Sequence, residues 1–134
     1  VWILVFLTRL APDLKTGRDL FHLVREVGRE WPDVEETTGY DGSPRLTVHG
    51  SFMTGLATHS SAEPDTLVVR YGVDEREWLM ADAPDTYYLT DYYRNYPLIL
   101  ARLSRLDRDA LRDLLATSRR LTLPKARNRA ARGK

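Results

Sequence analysis

The stretch RLTVHGSFMTGLATH, residues 45–59, alternates apolar and polar side chains on both sides of a central His49-Gly50 pair. A period of two is typical of strands with one buried face, and glycine tolerates the positive φ that a two-residue turn requires. We therefore predict two antiparallel strands joined by a tight turn over residues 48–51. The segment DTLVVRYGV, residues 65–73, is rich in β-branched residues and predicts a third strand beside this hairpin.

Apolar residues at helical spacing precede these strands. They predict an amphipathic helix over residues 17–30, with Thr16 and Asp19 resembling a capping box at its start and Pro32 at its end. The following segment, residues 32–44, is rich in turn formers and acids, so we expect a surface connection.

A second long helix is predicted over residues 108–122. Asp107 is a suitable N-cap, and Pro124 predicts the end of the helix because it cannot donate the next backbone hydrogen bond. The expected inward stripe consists of Leu111, Leu114, Leu115 and Leu121.

A short helix is predicted over residues 74–82, capped by Asp74, with Trp78 and Leu79 facing inward. A second hairpin should follow it. We expect strands over residues 86–90 and 98–106, joined by a turn at Arg94-Asn95 in which Asn95 adopts a positive φ. The order of elements predicts the α+β class: a single domain with an antiparallel sheet of about five strands in two hairpins, packed by N- and C-terminal helices.

The turn of this second hairpin lies in YYLTDYYRNYP, residues 87–97, which holds five of the seven tyrosines of the chain. Because successive strand residues point to opposite faces, one of Tyr87 and Tyr88 should be buried and the other half exposed. We expect Tyr93 and Tyr96 to pack inside and Asp91 to bond backbone amides of the turn. Tyr92 is the ring that we expect to be exposed.

The composition fits one globular domain. Its 134 residues are enough for one core, and the absence of cysteine excludes disulfides and thiolate chemistry and fits a cytoplasmic protein. Residues 1–14 form an apolar N-terminal extension whose initial run is too short to span a bilayer. We expect the folded domain over residues 15–124 and a basic tail over residues 125–134.

Charge is distributed unevenly along the chain. Residues 1–96 carry nine Lys/Arg and sixteen Asp/Glu, whereas residues 97–134 carry eleven Lys/Arg and three Asp/Glu. A basic C-terminal region of this kind attracts polyanions such as DNA. The alternative is a solvated, disordered end with no partner.

Three segments together resemble the MmcQ/YjbR family of small bacterial proteins. They are residues 37–56, 65–103 and 119–126, with GSP at 42–44 and TDYYRNYP at 90–97 as the most specific pieces. The resemblance covers about residues 17–126. It implies a frataxin-like α+β domain whose hairpins resemble the wings of a double-wing DNA-binding domain, and it implies a DNA-binding function. This chain departs from many relatives at Ser51, where they have Lys, and at Tyr92, Asn95 and Leu98, where they have His, Gly and Trp.

A protein that binds DNA without an enzymatic reaction needs cations for phosphates and a shaped element for a groove. We expect a monomer without cofactor that contacts mainly the phosphate backbone through its hairpins and its basic C-terminal region. The candidate contacts are Arg45, His49, Tyr92, Arg94, Arg102, Arg105, Arg119, Arg120, Lys125 and Arg127. Arg102, Arg105, Arg119 and Arg120 are equally compatible with ordinary solvated or ion-paired side chains.

Nothing in the motifs favours an enzyme. The three histidines, His22, His49 and His59, lack ligand spacing, and neither a nucleophile elbow nor a glycine-rich phosphate loop is present. One alternative function is a protein-interaction or small-ligand module that uses the tyrosine hairpin. Another is weak metal binding by an acidic cluster at the end of the first helix, formed by Glu26, Glu30, Asp33, Glu35 and Glu36.

Overall fold

A computed structural model describes residues 17–39 and 41–132, so the apolar extension over residues 1–14 lies outside the described residues. The described part contains helices α1 (Gly17–Gly28), α2 (Glu75–Asp82) and α3 (Arg108–Arg132). The strands are β1 (Val34–Thr38), β2 (Pro44–Val48), β3 (Ser51–Leu56), β4 (Thr66–Arg70), β5 (Tyr87–Tyr88) and β6 (Leu98–Arg102). All six form one antiparallel sheet in the order β1-β2-β3-β4-β6-β5, which confirms the α+β class.

The two faces of the sheet have different environments. Helices α1 and α3 pack on one face, where Phe21, Leu115 and their neighbours bury Met53 and Leu67 in the main core. The opposite face carries a smaller cluster centred on Val68, with Leu100 beside it. We call this second face the open face. Successive residues of a strand point to opposite faces, so Leu67 of β4 lies in the main core and Val68 lies on the open face.

The first hairpin forms as predicted. His49 and Gly50 have φ values of 49° and 82°, and they join β2 to β3 with Val48 paired to Ser51. Positive φ at both central positions matches the twist of the flanking strands. The third predicted strand is also confirmed, as β4.

The prediction of a surface connection over residues 32–44 is wrong for its first half. Residues 34–38 form the edge strand β1, paired with β2 from Val34 opposite Val48 to Thr38 opposite Pro44. After β1, the Gly39 N–H donates a 2.9 Å hydrogen bond to the Ser43 carbonyl, just before β2 begins. Acidic residues at an exposed sheet edge discourage pairing with other chains, so the acids that indicated a loop are compatible with this strand.

The predicted helix end at Pro124 is also wrong, because α3 continues to Arg132. Proline removes one backbone donor, but both Pro124 and Arg120, whose carbonyl would have accepted that bond, are exposed residues. The buried stripe continues through Ser118, Thr122 and Ala126, which anchor the helix on both sides of the proline. Leu121 lies off this stripe and is exposed, contrary to prediction.

Helix α2 has the predicted position but not the predicted contacts. Asp74 makes no side-chain capping bond, whereas Asp107 does cap α3 through a 2.7 Å bond from the Ala110 N–H. Trp78 is 79% exposed, and the buried residue of this helix is Arg76, with Leu79 only partly buried.

Candidate functional site

The tyrosine segment crosses the open face of the sheet. Its first strand is shorter than expected, but Tyr87 is buried in the main core and Tyr88 is half-buried on the other side, as predicted. Tyr93 is buried against Val68 and Leu100, and its hydroxyl accepts a 3.1 Å bond from the His59 backbone N–H. The segment therefore closes part of the open face and is fixed there.

The turn of this hairpin is built differently from the prediction. Asn95 lies in a short 3-10 turn, Tyr93–Asn95, and does not have a positive φ. Within the described residues, Asp91 accepts no backbone amide bond through its side chain. The Thr90 hydroxyl takes that role, since Oγ1 accepts a 3.4 Å bond from the Tyr93 N–H, and the Thr90 carbonyl accepts a 2.9 Å bond from the Arg94 N–H.

Arg76 holds this turn from the interior. Its side chain is only 3% exposed, and Nη1 donates to the carbonyls of Tyr96 and Leu98 at 2.7 and 3.0 Å. Nη2 donates to the Arg94 carbonyl at 2.8 Å. The guanidinium is bound by carbonyl dipoles in place of a carboxylate, so it fixes the backbone on which Tyr96 is mounted.

The exposed rings form a stack at the edge of the segment. Tyr92 stacks on His59 with 3.6 Å between ring centroids and 7° between planes, and the Tyr96 centroid lies 5.8 Å from that of Tyr92. Tyr92 and Tyr96 are 45% and 47% exposed. The exposure of Tyr92 is as predicted, whereas Tyr96 was expected to pack inside.

These rings border a depression on the open face that we call the aromatic groove. Its larger part has a volume of about 470 Å³, and its smaller adjoining part has about 290 Å³. Phe52, Tyr96 and Leu98 line both parts. The larger part also contacts Arg45 and Tyr92, and the smaller part contacts Arg70.

Two guanidinium groups flank the Phe52 side of the aromatic groove. Arg45 Cζ lies 5.7 Å from the centroid of the Phe52 ring, and Arg70 Nε donates a 2.8 Å bond to the Phe52 carbonyl. Burial lowers the pKa of Arg70 below its usual value, since desolvation disfavours the charged form. None of the described residues that line the aromatic groove is acidic.

The other predicted contacts are distributed over the surface, and two are neutralised. Arg102 is paired with Glu63, and its Cζ lies 4.3 Å from the centroid of the Tyr88 ring. Arg119 binds Asp33 through two bonds of 2.8 and 2.7 Å. Each hydrogen-bonded carboxylate raises the pKa of its arginine, which favours the closed pair over a phosphate contact.

The remaining candidates are exposed: His49, Arg94, Arg105, Arg120, Lys125 and Arg127. The structure brings Arg45 and Tyr92 together at the aromatic groove, whereas the cations of α3 belong to the helix that covers the other face of the sheet. The candidate DNA contacts therefore lie on two surfaces of the domain and not on one.

Four of the five carboxylates of the acidic cluster form ion pairs with arginines. Arg108 binds Glu26 at 3.1 Å, Arg112 binds Glu30 at 2.9 Å, Arg119 binds Asp33 at 2.7 Å and Arg25 binds Glu36 at 2.7 Å. Over residues 17–39 and 41–132, no group of three or more His, Cys, Asp or Glu side chains is placed to hold a metal ion. Three of these ion pairs join residues 26–33 to α3, the fourth joins α1 to β1, and together they leave the metal alternative without support.

Sequence reasoning missed three residues of this region: His59, Arg70 and Arg76. Arg70 had a usable signal, because it follows Val68 by two positions and therefore lies on the same face of β4. Arg76 had none, since an arginine between Glu75 and Glu77 looks like a solvated residue. His59 becomes informative only when the fold places it under Tyr92.

Comparisons with known proteins find no matching family model, no matching curated protein and no matching solved structure. The helices in the described part of the chain also lack the combination of length and apolar composition that a membrane span needs.

Proposed function

We propose that this protein is a non-enzymatic DNA-binding protein that contacts phosphates through the C-terminal half of α3. One observation carries the proposal. Residues 114–132 belong to a single helix, and they contain no Asp/Glu and six Lys/Arg, one of which, Arg119, is paired with Asp33. At 1.5 Å per residue this segment is about 28 Å long, which is long enough to follow several phosphates of a duplex.

The continuation of α3 past Pro124 supports this assignment. A disordered basic tail would lose conformational entropy on binding, whereas the helix already holds Arg120, Lys125 and Arg127 in a fixed spacing. The resemblance to the MmcQ/YjbR family favours the same function but a different contact surface, the hairpin wings.

The test is fluorescence anisotropy with a labelled 20-base-pair duplex, titrated at several salt concentrations from about 50 to 200 mM. We expect binding that weakens with salt. The double variant R120Q/R127Q should weaken it about tenfold at the lowest salt and make the log–log slope shallower by about 2, since each phosphate contact contributes about 0.9.

The matched control is R45Q/R94Q, which removes the same charge from the other side of the sheet. Its affinity should stay within about twofold of that of the parent protein, because cations more than a Debye length from the DNA are screened. No duplex binding at the lowest salt would overturn the function. A larger loss in R45Q/R94Q than in R120Q/R127Q would overturn the assignment to α3 and favour the wings.

A further inference from the structure

The aromatic groove has the dimensions of a small-molecule site. Volumes of about 470 and 290 Å³ for its two parts fall in the range that accommodates one or two rings with substituents. Phe52, Val68 and Leu98 form its apolar floor and wall, and Tyr92 and Tyr96 form its rim. Rings of this kind offer flat surfaces on which a planar ligand stacks.

The rim is fixed before any ligand binds. Arg76 holds the carbonyls of Tyr96 and Leu98, and the buried hydroxyl of Tyr93 holds the backbone of His59, on which Tyr92 stacks. A ligand therefore does not have to order these side chains, and this lowers the entropic cost of binding.

The aromatic groove carries positive charge, and the charge of Arg70 has no carboxylate partner among the described residues. Arg70 makes one hydrogen bond to another described residue, from Nε to the Phe52 carbonyl, and no ion pair with one. Arg45 lines the other part of the groove and interacts electrostatically with Asp41, which does not line it. A half-buried guanidinium without a carboxylate is unfavourable, and a bound anion removes that cost while its two oxygens match the arginine fork.

We infer that the aromatic groove binds a small planar aromatic molecule that carries an anionic group. The ring stacks against Phe52 and the tyrosine rim, and the anion is bound by Arg70. A phosphate and a carboxylate share this chemistry, so a nucleoside monophosphate and an aromatic carboxylate are the two sources to distinguish. The site lies on the face of the sheet opposite α3, and the inference does not depend on DNA binding.

The experiment is isothermal titration calorimetry of the full chain with four probes: AMP, adenosine, inorganic phosphate and indole-3-carboxylate. We expect AMP or indole-3-carboxylate to bind at least about tenfold tighter than adenosine and phosphate. Only AMP and indole-3-carboxylate carry both an aromatic ring that stacks on the groove and an anion that pairs with a guanidinium. The amide signals of Phe52, Tyr96 and Leu98 should shift in heteronuclear NMR spectra of the complex. Whichever of AMP and indole-3-carboxylate binds more tightly shows whether the groove prefers a phosphate or a carboxylate.

Two variants locate the site. Arg70→Gln and Tyr96→Ala should each weaken binding of the preferred probe by about fivefold or more, with a melting temperature that shows the domain is folded. Arg29→Gln removes the same charge from an exposed residue outside both proposed surfaces and should leave binding unchanged. The inference is overturned if no probe binds up to about 5 mM, if phosphate alone binds as tightly as AMP, or if neither groove variant weakens binding.

Discussion

Replacing Arg76 by methionine tests whether the buried guanidinium fixes the tyrosine segment. The side chain is 3% exposed and donates three bonds, of 2.7, 3.0 and 2.8 Å, to the carbonyls of Tyr96, Leu98 and Arg94. Methionine has a similar length and fills the same apolar surroundings without the charge. The substitution therefore removes the three bonds with little change in volume.

The expected loss follows from these bonds. A hydrogen bond contributes about 1 kcal/mol net to folding, so the three together contribute about 3 kcal/mol. Nε of Arg76 has no hydrogen-bond partner among the described residues, and burial of an incompletely bonded cation is unfavourable. Removing that cost returns about 1 kcal/mol, so we expect a net destabilisation of about 2 kcal/mol and a melting temperature lower by about 7 °C.

The assay is urea unfolding followed by circular dichroism, with thermal unfolding as a second measurement. Arg29→Met is the matched control, because Arg29 is exposed and makes no side-chain bond with other described residues; it should change the free energy of unfolding by less than about 0.5 kcal/mol. Arg76→Lys should be intermediate, since an ammonium keeps a charge but loses the planar fork. The reasoning is refuted if Arg76→Met is no less stable than Arg29→Met.

Two further changes have defined outcomes. The pKa of Asp33 is lowered in the folded state mainly by its hydrogen bond from Arg119, so this carboxylate stabilises the fold above its unfolded pKa of about 4, and the contribution disappears as pH falls through the folded pKa. Asp33→Asn should therefore lower the free energy of unfolding by about 1 kcal/mol at neutral pH and by almost nothing at about pH 2, as measured by urea unfolding at both pH values; an equal loss at both would contradict the assignment. Tyr93→Phe removes the hydroxyl that accepts the His59 N–H bond and should cost about 1 kcal/mol in the same assay, and no loss would mean that water replaces this bond.

The parts of the fold that sequence predicted are those determined by local patterns. The alternation around His49-Gly50 and the capping residue Asp107 act within a few residues, and both work as expected. The continuation of α3 depends on tertiary burial of Thr122 and Ala126, which outweighs the local effect of Pro124. The edge strand β1 depends on pairing with β2, and its own composition gives little sign of it.

The candidate site was only partly predictable for the same reason. Tyr92 and Arg45 could be selected from residue type, but their meeting at one depression depends on the register of four strands and on a turn held by Arg76. Arg102 and Arg119 were selected from residue type as well, and the fold brings carboxylates to both. The sequence shows which side chains are charged, whereas the fold determines which of them form ion pairs.

The arrangement of the two proposed surfaces determines how they relate to each other. α3 and the aromatic groove lie on opposite faces of the sheet, and exposed charges separated by more than the Debye length of about 8 Å at physiological salt are largely screened. An anion in the aromatic groove should therefore have little electrostatic effect on DNA bound at α3. Any coupling between the two surfaces must instead pass through a change in conformation. The Tyr71 N–H after β4 donates a 3.0 Å bond to the carbonyl of Pro97 in the groove wall, which ties this wall to the sheet. We therefore expect the two ligands to bind independently.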